Sequence, residues 1–403
     1  MSDSPASPFE SAFESALATY LLARGWRRDR CGDCGRGYFG KGAGGCGSPW
    51  CPGSRTAAPA GADGQEPVRR PLPAQWQRIR AALARRGLAP SAVADLSGAA
   101  RDTDLVVSAL QSLDAVVHQG APAPDGIRIL AQPCVRWRYL PAAGREEGVS
   151  SSFINLSSLE VGGTDLIDRV SEHLDCWLDV LSAVGLHARH ITVALTDETC
   201  DYGPYRGRRA DVNCGGVELG EINWYHDVAD VAGRRLTVID CGFAFERIAW
   251  SAARPEPYHR VLSPYYLDFP GRVEEGAVVN DRARTLALLS LSGIRPGSRG
   301  ARRYARQLAG ELAVPFLRGA STRGFLEHAT LYWRQFVAPA GSGQDAVGIA
   351  SEAIERQAVA RLAGALRQAV PPDHLAFSEA ADFLAGRSGG RGAVSRAVET
   401  LVA

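Results

Sequence analysis

Residues 238–250, VIDCGFAFERIAW, decide how this chain reads. Period-two apolar positions, Leu236 with Val238 and then Phe243 with Phe245, predict a strand over 235–245. Gly242 marks a point where another backbone or a ligand comes close. The segment closes on an acid and a base, Glu246 and Arg247, and an arginine placed after a strand suits a polyphosphate. A surface ion pair is the alternative. Asp240, a carboxylate in the strand two residues before the glycine, can pair with a substrate ammonium where water is scarce, or cap the strand end.

Working outward, residues 129–138, ILAQPCVRWR, put Arg136 on a second apolar strand over 127–139. Further strands are predicted at 105–109, 153–161, 191–195 and 217–225. Helical spacing marks 10–26, with Phe13, Leu17, Tyr20 and Leu21 on one face, and 75–87, with Trp76, Ile79 and Leu83. Another helix is expected over 164–184, with Thr164 as its N-cap. Strands joined without regular crossover helices predict an antiparallel α+β sheet flanked by helices, not a doubly wound parallel one. From Asp281 onward the pattern is almost wholly helical, and 54–66, rich in Ala, Pro, Gly and Asp, reads as a linker or loop.

Cys31, Cys34, Cys46 and Cys51 combine a CxxC with a distal pair, an arrangement that lets two tight turns present four thiolates to Zn²⁺. Gly32, Gly35 and Gly47 give such knuckles a permissive backbone. Four protein ligands leave no open position, so the predicted site is structural; four free thiols in a glycine-rich loop are the alternative. The other five of the nine cysteines are scattered, which suits a reduced compartment better than a disulfide framework.

Lys and Arg number 45 against 44 Asp and Glu, so no global basic field draws nucleic acid, and any RNA contact must come from a local patch. The richest is Arg299, Arg302, Arg303 and Arg306. No apolar run of membrane-spanning length and no signal-peptide pattern is visible, so a cytoplasmic location with no membrane partner is expected. No P-loop, GxGxxG unit or GxSxG elbow competes for a nucleotide.

Four segments, in order, resemble the alanyl-tRNA synthetase family of class II aminoacyl-tRNA synthetases, and its archaeal branch in particular. They are CGDCGRGYFGKGAGGCGSPWC; DTDLVVSALQSLDAVVHQG with ILAQPCVRW; GVELGEINWYHDV with VIDCGFAFERIAW; and NDRARTLALLSLSGIRPGSRGARRYARQL. The resemblance covers roughly residues 10–315 and has no counterpart of the family's editing and C-terminal modules. It implies a class II catalytic domain at 61–265, preceded by a helix and zinc-binding cluster at 1–60 and followed at 266–403 by helices like the tRNA-recognition region.

By this resemblance Arg136 meets the α-phosphate of ATP and Arg247 the γ-phosphate, with Mg²⁺, while Phe153 stacks on adenine. Asp240 holds the amino group of a small amino acid, alanine first, and Glu218, Glu221, Asn223 and Trp224 line the strand beside it. Arg299, Arg302, Arg303 and Arg306 become tRNA contacts. Two departures stand out: GREEGVSSSFINLSS replaces a basic, histidine-containing loop after Arg136, and INWYHD replaces a more apolar run. The expected activity is adenylation of a small amino acid and its transfer to tRNA. A tRNA-independent ligase, acylating a small molecule or carrier protein, is the alternative, and an inactive synthetase-like binding module is a third.

Overall fold

In chain order the elements begin with α1 (Pro8–Ala23), β1 (Arg27–Arg30), β2 (Gly37–Gly40), α2 (Leu72–Arg85), α3 (Asp114–Gln119), β3 (Arg128–Val135), β4 (Ser152–Gly162) and α4 (Val170–Val184). There follow β5 (Ile191–Leu195), β6 (Cys200–Tyr202), β7 (Tyr205–Cys214), β8 (Val217–Ala229), β9 (Arg235–Ala244), α5 (Phe245–Ala253) and α6 (Tyr258–Leu262). The chain continues with α7 (Val273–Leu291), α8 (Gly300–Leu317), α9 (Thr322–Trp333), α10 (Ala346–Ala365), α11 (Phe377–Ser388) and α12 (Arg391–Val402). This computed structural model describes residues 8–42, 44–55, 70–91, 93–97, 103–196, 200–254, 256–263, 273–337, 345–372 and 375–402. Most of the predicted 54–66 linker lies outside the described residues, as does the Thr164 side chain predicted to cap a helix.

Two units divide the chain. The first comprises 1–94, 106–134 and 153–261, the second 95–105, 135–152 and 262–403. The first is α+β, as the sequence predicts, built on an open sheet of nine strands in the order β1-β2-β5-β7-β8-β9-β4-β3 with β6 added to β7. The pairs β1–β2, β2–β5, β5–β7, β7–β8, β8–β9 and β9–β4 are antiparallel.

One face of the sheet is covered by helices. Phe243 of β9 stacks on Trp177 of α4 at 4.2 Å, and Trp224 of β8 stacks on Phe13 of α1 at 5.9 Å. Even the polar groups there are mutually satisfied: His173 of α4 bonds Ser158 Oγ at 2.7 Å and Glu160 Oε2 at 3.0 Å, and Trp177 Nε1 donates to Ser158 Oγ at 2.8 Å. On the opposite face, residues 109–117 pack on Leu159, Val161, Tyr225 and Val238, a cluster that also takes in Leu130.

Four local differences from the sequence reading have physical causes. Residues 105–109 form no strand, because Ser108 caps a 3-10 turn (Ala109–Leu113) and Gln111 Oε1 accepts the N–H groups of Val107 and Ser108. The strand predicted over 127–139 stops at Val135, and Trp137–Tyr139 is a 3-10 turn. The first six residues of the predicted 164–184 helix are likewise 3-10. The unpredicted β7 carries Arg206, Arg208 and Arg209, which hide its alternation from a hydrophobicity count.

The second unit is helical, and α7 is its buried spine, with Leu286, Leu288, Leu289 and Leu291 in the core. The Arg284 guanidinium lies 4.4 Å from the Tyr332 ring and 5.0 Å from Trp333. Residues 135–152 are bound to the same helix: Asp281 accepts the Ser151 N–H at 2.8 Å and its hydroxyl at 2.6 Å, and Arg282 donates to the Leu140 and Ala143 carbonyls. Gly144 takes φ +81° where a Cβ would sit 2.5 Å from the Val278 Cα, so no other residue fits between loop and helix. No helix among the described residues is long and apolar enough to cross a membrane.

Candidate functional site

The sheet face opposite α4 carries, beside the apolar cluster of Leu159, Val161, Tyr225 and Val238, a group of polar residues. Cross-strand register brings it together: Asp240 pairs with Leu159 and Asn223, and Asn223 with Arg209; Gly242 pairs with Ser157 and Glu221, and Glu221 with Asp211. Directly paired residues share a face, so these side chains form one surface. Asp240 is 4% exposed, and its Oδ1 accepts the Ser157 hydroxyl at 2.5 Å. A Cβ on Gly242 would lie 3.2 Å from Asn155 Nδ2 and 3.6 Å from Asp240 Oδ1, so the glycine keeps the floor beside the carboxylate open. Asn155 is held by the Ala109 N–H, which donates to its Oδ1 at 2.8 Å.

At the end of β9 the acid and base diverge. Glu246 is fully buried and accepts the Ile154 N–H, closing the start of α5 onto β4. Arg247 is half-buried, and its Nη1 donates to the Glu218 carbonyl at 3.2 Å and to Glu218 Oε1 at 3.4 Å. Arg247 and Glu218 are therefore brought together, as are Asp240, Gly242 and Asn223. Phe153 is buried on β4, and alternation puts it on the Asn155 and Ser157 side. Trp224 departs from expectation: it points to the helical side against Phe13, because it is one residue out of phase with Asn223.

Charged residues that sequence reading did not single out complete this surface. Asp211 is held by Arg209 Nε at 3.0 Å and Arg36 Nη1 at 3.2 Å. Burial, with Glu218 and Glu221 adding to it against the pull of Arg209 and Arg36, still pushes the Asp211 carboxyl up to about 6. Polar residues at every second position of β4 and β7 (Asn155, Ser157; Arg209, Asp211, Asn213) were the available signal for the missed residues.

The cysteine cluster lies at the β1–β2 end of the same sheet. The four Sγ atoms fall within 4.8 Å of one another, with Cys31–Cys51 and Cys34–Cys46 at 3.6 Å. Thiolates on a tetrahedral zinc at ~2.3 Å are ~3.8 Å apart, so the donor set fits the metal. Burial raises the Cys31 thiol, but N–H groups of Cys46, Cys34 and Asp33 aimed at its sulfur bring it down to about 6, whereas burial leaves the Cys34 thiol raised and pushes that of Cys46 up to about 12. The Cys46 carbonyl accepts Thr192 Oγ1 of β5 at 2.5 Å, which ties the knuckle to the sheet. The cluster can thus hold a metal ion, and its four-sulfur chemistry is compatible with zinc.

In the second unit Arg136 follows the end of β3, its N–H donating to the Ser151 carbonyl at 2.8 Å. Trp137 stacks on Tyr304 of α8 at 4.2 Å, which sets the Arg136 turn against the helix carrying Arg302, Arg303 and Arg306. These three and Arg299, which precedes the helix, are all exposed at three- and four-residue spacings. Burial raises the Tyr139 hydroxyl, yet the nearby Arg136 and Arg138 charges outweigh it and lower its pKa. A scan against protein-family models and a search of curated proteins both return no match to the chain.

Proposed function

We propose that the protein activates a small amino acid with ATP, forming an aminoacyl-adenylate and pyrophosphate, and then passes the acyl group to tRNA. The observation that carries this reading is the buried Asp240 carboxylate, fixed by Ser157 beside the open floor of Gly242. A desolvated carboxylate can accept an ammonium, and such a charge-assisted contact is strong where water is excluded. Asp240 then holds the amino group, so that a carboxylate oxygen of the substrate attacks the α-phosphorus and the bond to pyrophosphate breaks. Arg247, oriented by Glu218, supplies a fixed positive charge to the departing phosphates. Arg136, Phe153 and Mg²⁺ take their ATP roles from the resemblance to alanyl-tRNA synthetases, in which the metal would neutralise phosphate charge. Asn223 and Glu221, paired across from Asp240 and Gly242, border the space for the side chain, where alanine, glycine and serine are the first candidates.

Transfer to tRNA is supported by the exposed arginines at 299, 302, 303 and 306. A tRNA-independent acceptor, a small molecule or a carrier protein, is favoured by residues 144–152, which are bound to α7 through Ser151 and Asp281 and offer no basic loop beyond Arg145. Amino-acid-dependent exchange of labelled pyrophosphate into ATP tests activation, and its absence with every small amino acid would leave only the binding-module reading. Adding tRNA to an active preparation then separates the two acceptors.

A further inference from the structure

Beyond its structural metal site, the β1–β2 ribbon carries features that holding a metal does not require. Over residues 27–51 there are five basic residues, Arg27, Arg28, Arg30, Arg36 and Lys41, against two acidic ones, Asp29 and Asp33. All four β1 side chains are exposed on the edge strand of the sheet. Arg28 and Arg30 project to one side, ~7 Å apart. Trp50, in the second knuckle, is 73% exposed, more than any other large hydrophobic residue among those described. Its backbone N–H donates to Ser48 Oγ at 3.3 Å, so the turn that presents the ring is fixed. Arg30 and Trp50 are immediate neighbours of Cys31 and Cys51, whose sulfurs are 3.6 Å apart, so the charged strand and the indole flank one rigid point. Charges alone would be explained as protection of an edge strand. They do not account for an indole held in water beside them.

We infer that this ribbon is a docking surface for an unpaired nucleic-acid strand, with Trp50 stacking on a base and Arg28 and Arg30 on successive phosphates. Stacking on an aromatic face and arginine–phosphate pairing are together the general chemistry of single-strand recognition. The docking residues Trp50, Arg28 and Arg30 include none of the groups proposed for activation, and the inference does not rest on that reading: loss of pyrophosphate exchange would leave it standing, and its own failure would leave activation untouched.

The test uses the full zinc-loaded chain and fluorescence anisotropy with a labelled 20-nucleotide single-stranded RNA, its DNA counterpart and a hairpin duplex. The single strands should bind better than the duplex, the RNA and DNA arms identifying the source of the strand. W50A should weaken binding by about five-fold or more. R28A/R30A should reduce the slope of log affinity against log salt by about 1.4, from ~0.7 per lost single-strand phosphate contact. Zinc content and pyrophosphate exchange should not change in either variant, and R356A on α10 should bind as wild type. Failure of the wild type to bind either strand, wild-type binding by W50A, or an equal loss in R356A overturns the inference.

Discussion

Ser157 Oγ donates to Asp240 Oδ1 at 2.5 Å from the neighbouring strand, so the carboxylate proposed to read the amino group is held in place by a hydroxyl. Asp240→Asn replaces the charge by an amide that cannot offset a buried ammonium. In exchange assays the KM for the amino acid should rise by about 10²-fold while that for ATP stays within a few-fold. Ser157→Ala should show the same split at about ten-fold, since it frees the carboxylate without discharging it. Equal rises in both constants would remove Asp240 from the amino-acid site.

Arg247→Ala should lower exchange by about 10²-fold or more, as expected when a preorganised charge is lost from phosphoryl chemistry. Arg247 is only half-buried and donates to Glu218, so thermal unfolding should move little. Arg136→Ala tests the second phosphate role in the same assay. Near-normal exchange in either variant would refute that residue's role.

Purified protein should carry about one equivalent of zinc, and Cys46→Ser should lose most of it. Because the Cys46 carbonyl also receives Thr192 Oγ1 and Asn213 Nδ2 at 3.5 Å, metal loss should loosen β5 and β7, not only the knuckle. Hydrogen exchange after chelation would show this as faster exchange at 191–195 and 205–214. Unchanged protection there, or metal-free protein with four freely titrating thiols, would contradict it.

Asp211 gives a pH signature. Its folded pKa of about 6 lies above the ordinary carboxylate value, so the folded state binds the proton more tightly than the unfolded chain. The associated stability is fully present below about pH 4 and is lost as pH rises through about 6. Asp211→Asn lacks this loss. Relative to wild type it should therefore gain up to about 3 kcal/mol between pH 4 and 7 in denaturant melts. Parallel curves for the two proteins would show that Asp211 ionises normally.

Much of the sheet was legible because β4, β5 and β9 are runs rich in apolar and β-branched residues, as buried strands are. Leucine and tryptophan spacing likewise fixed the buried faces of α2 and α4. β1 was not legible: Arg-Arg-Asp-Arg has no apolar residue, and it is a strand only because it pairs with Gly37–Gly40. At the candidate site, Asp240 and Gly242 announced themselves by residue type within an apolar strand, and Arg247 by following it. Ser157 and Arg209 did not, since their relevance comes from register with β9 and β8, which no local pattern encodes. Trp224 looked like a lining residue for the same reason: a one-residue step along β8 separates the polar surface from the helical core.

The cysteine cluster has a further consequence through the order of the strands. β1 is the outermost strand and shields β2, whose buried Tyr38 and Phe39 make it the apolar strand of the pair. If the cluster holds a metal as proposed, its release would uncouple Cys31, at the end of β1, from Cys46 and Cys51 and bare the backbone of β2. An uncovered apolar strand edge recruits other chains. Zinc supply would then govern solubility as well as folding: protein made in metal-depleted medium should scatter light on warming well before its sheet unfolds, and zinc added beforehand, but not afterwards, should prevent it.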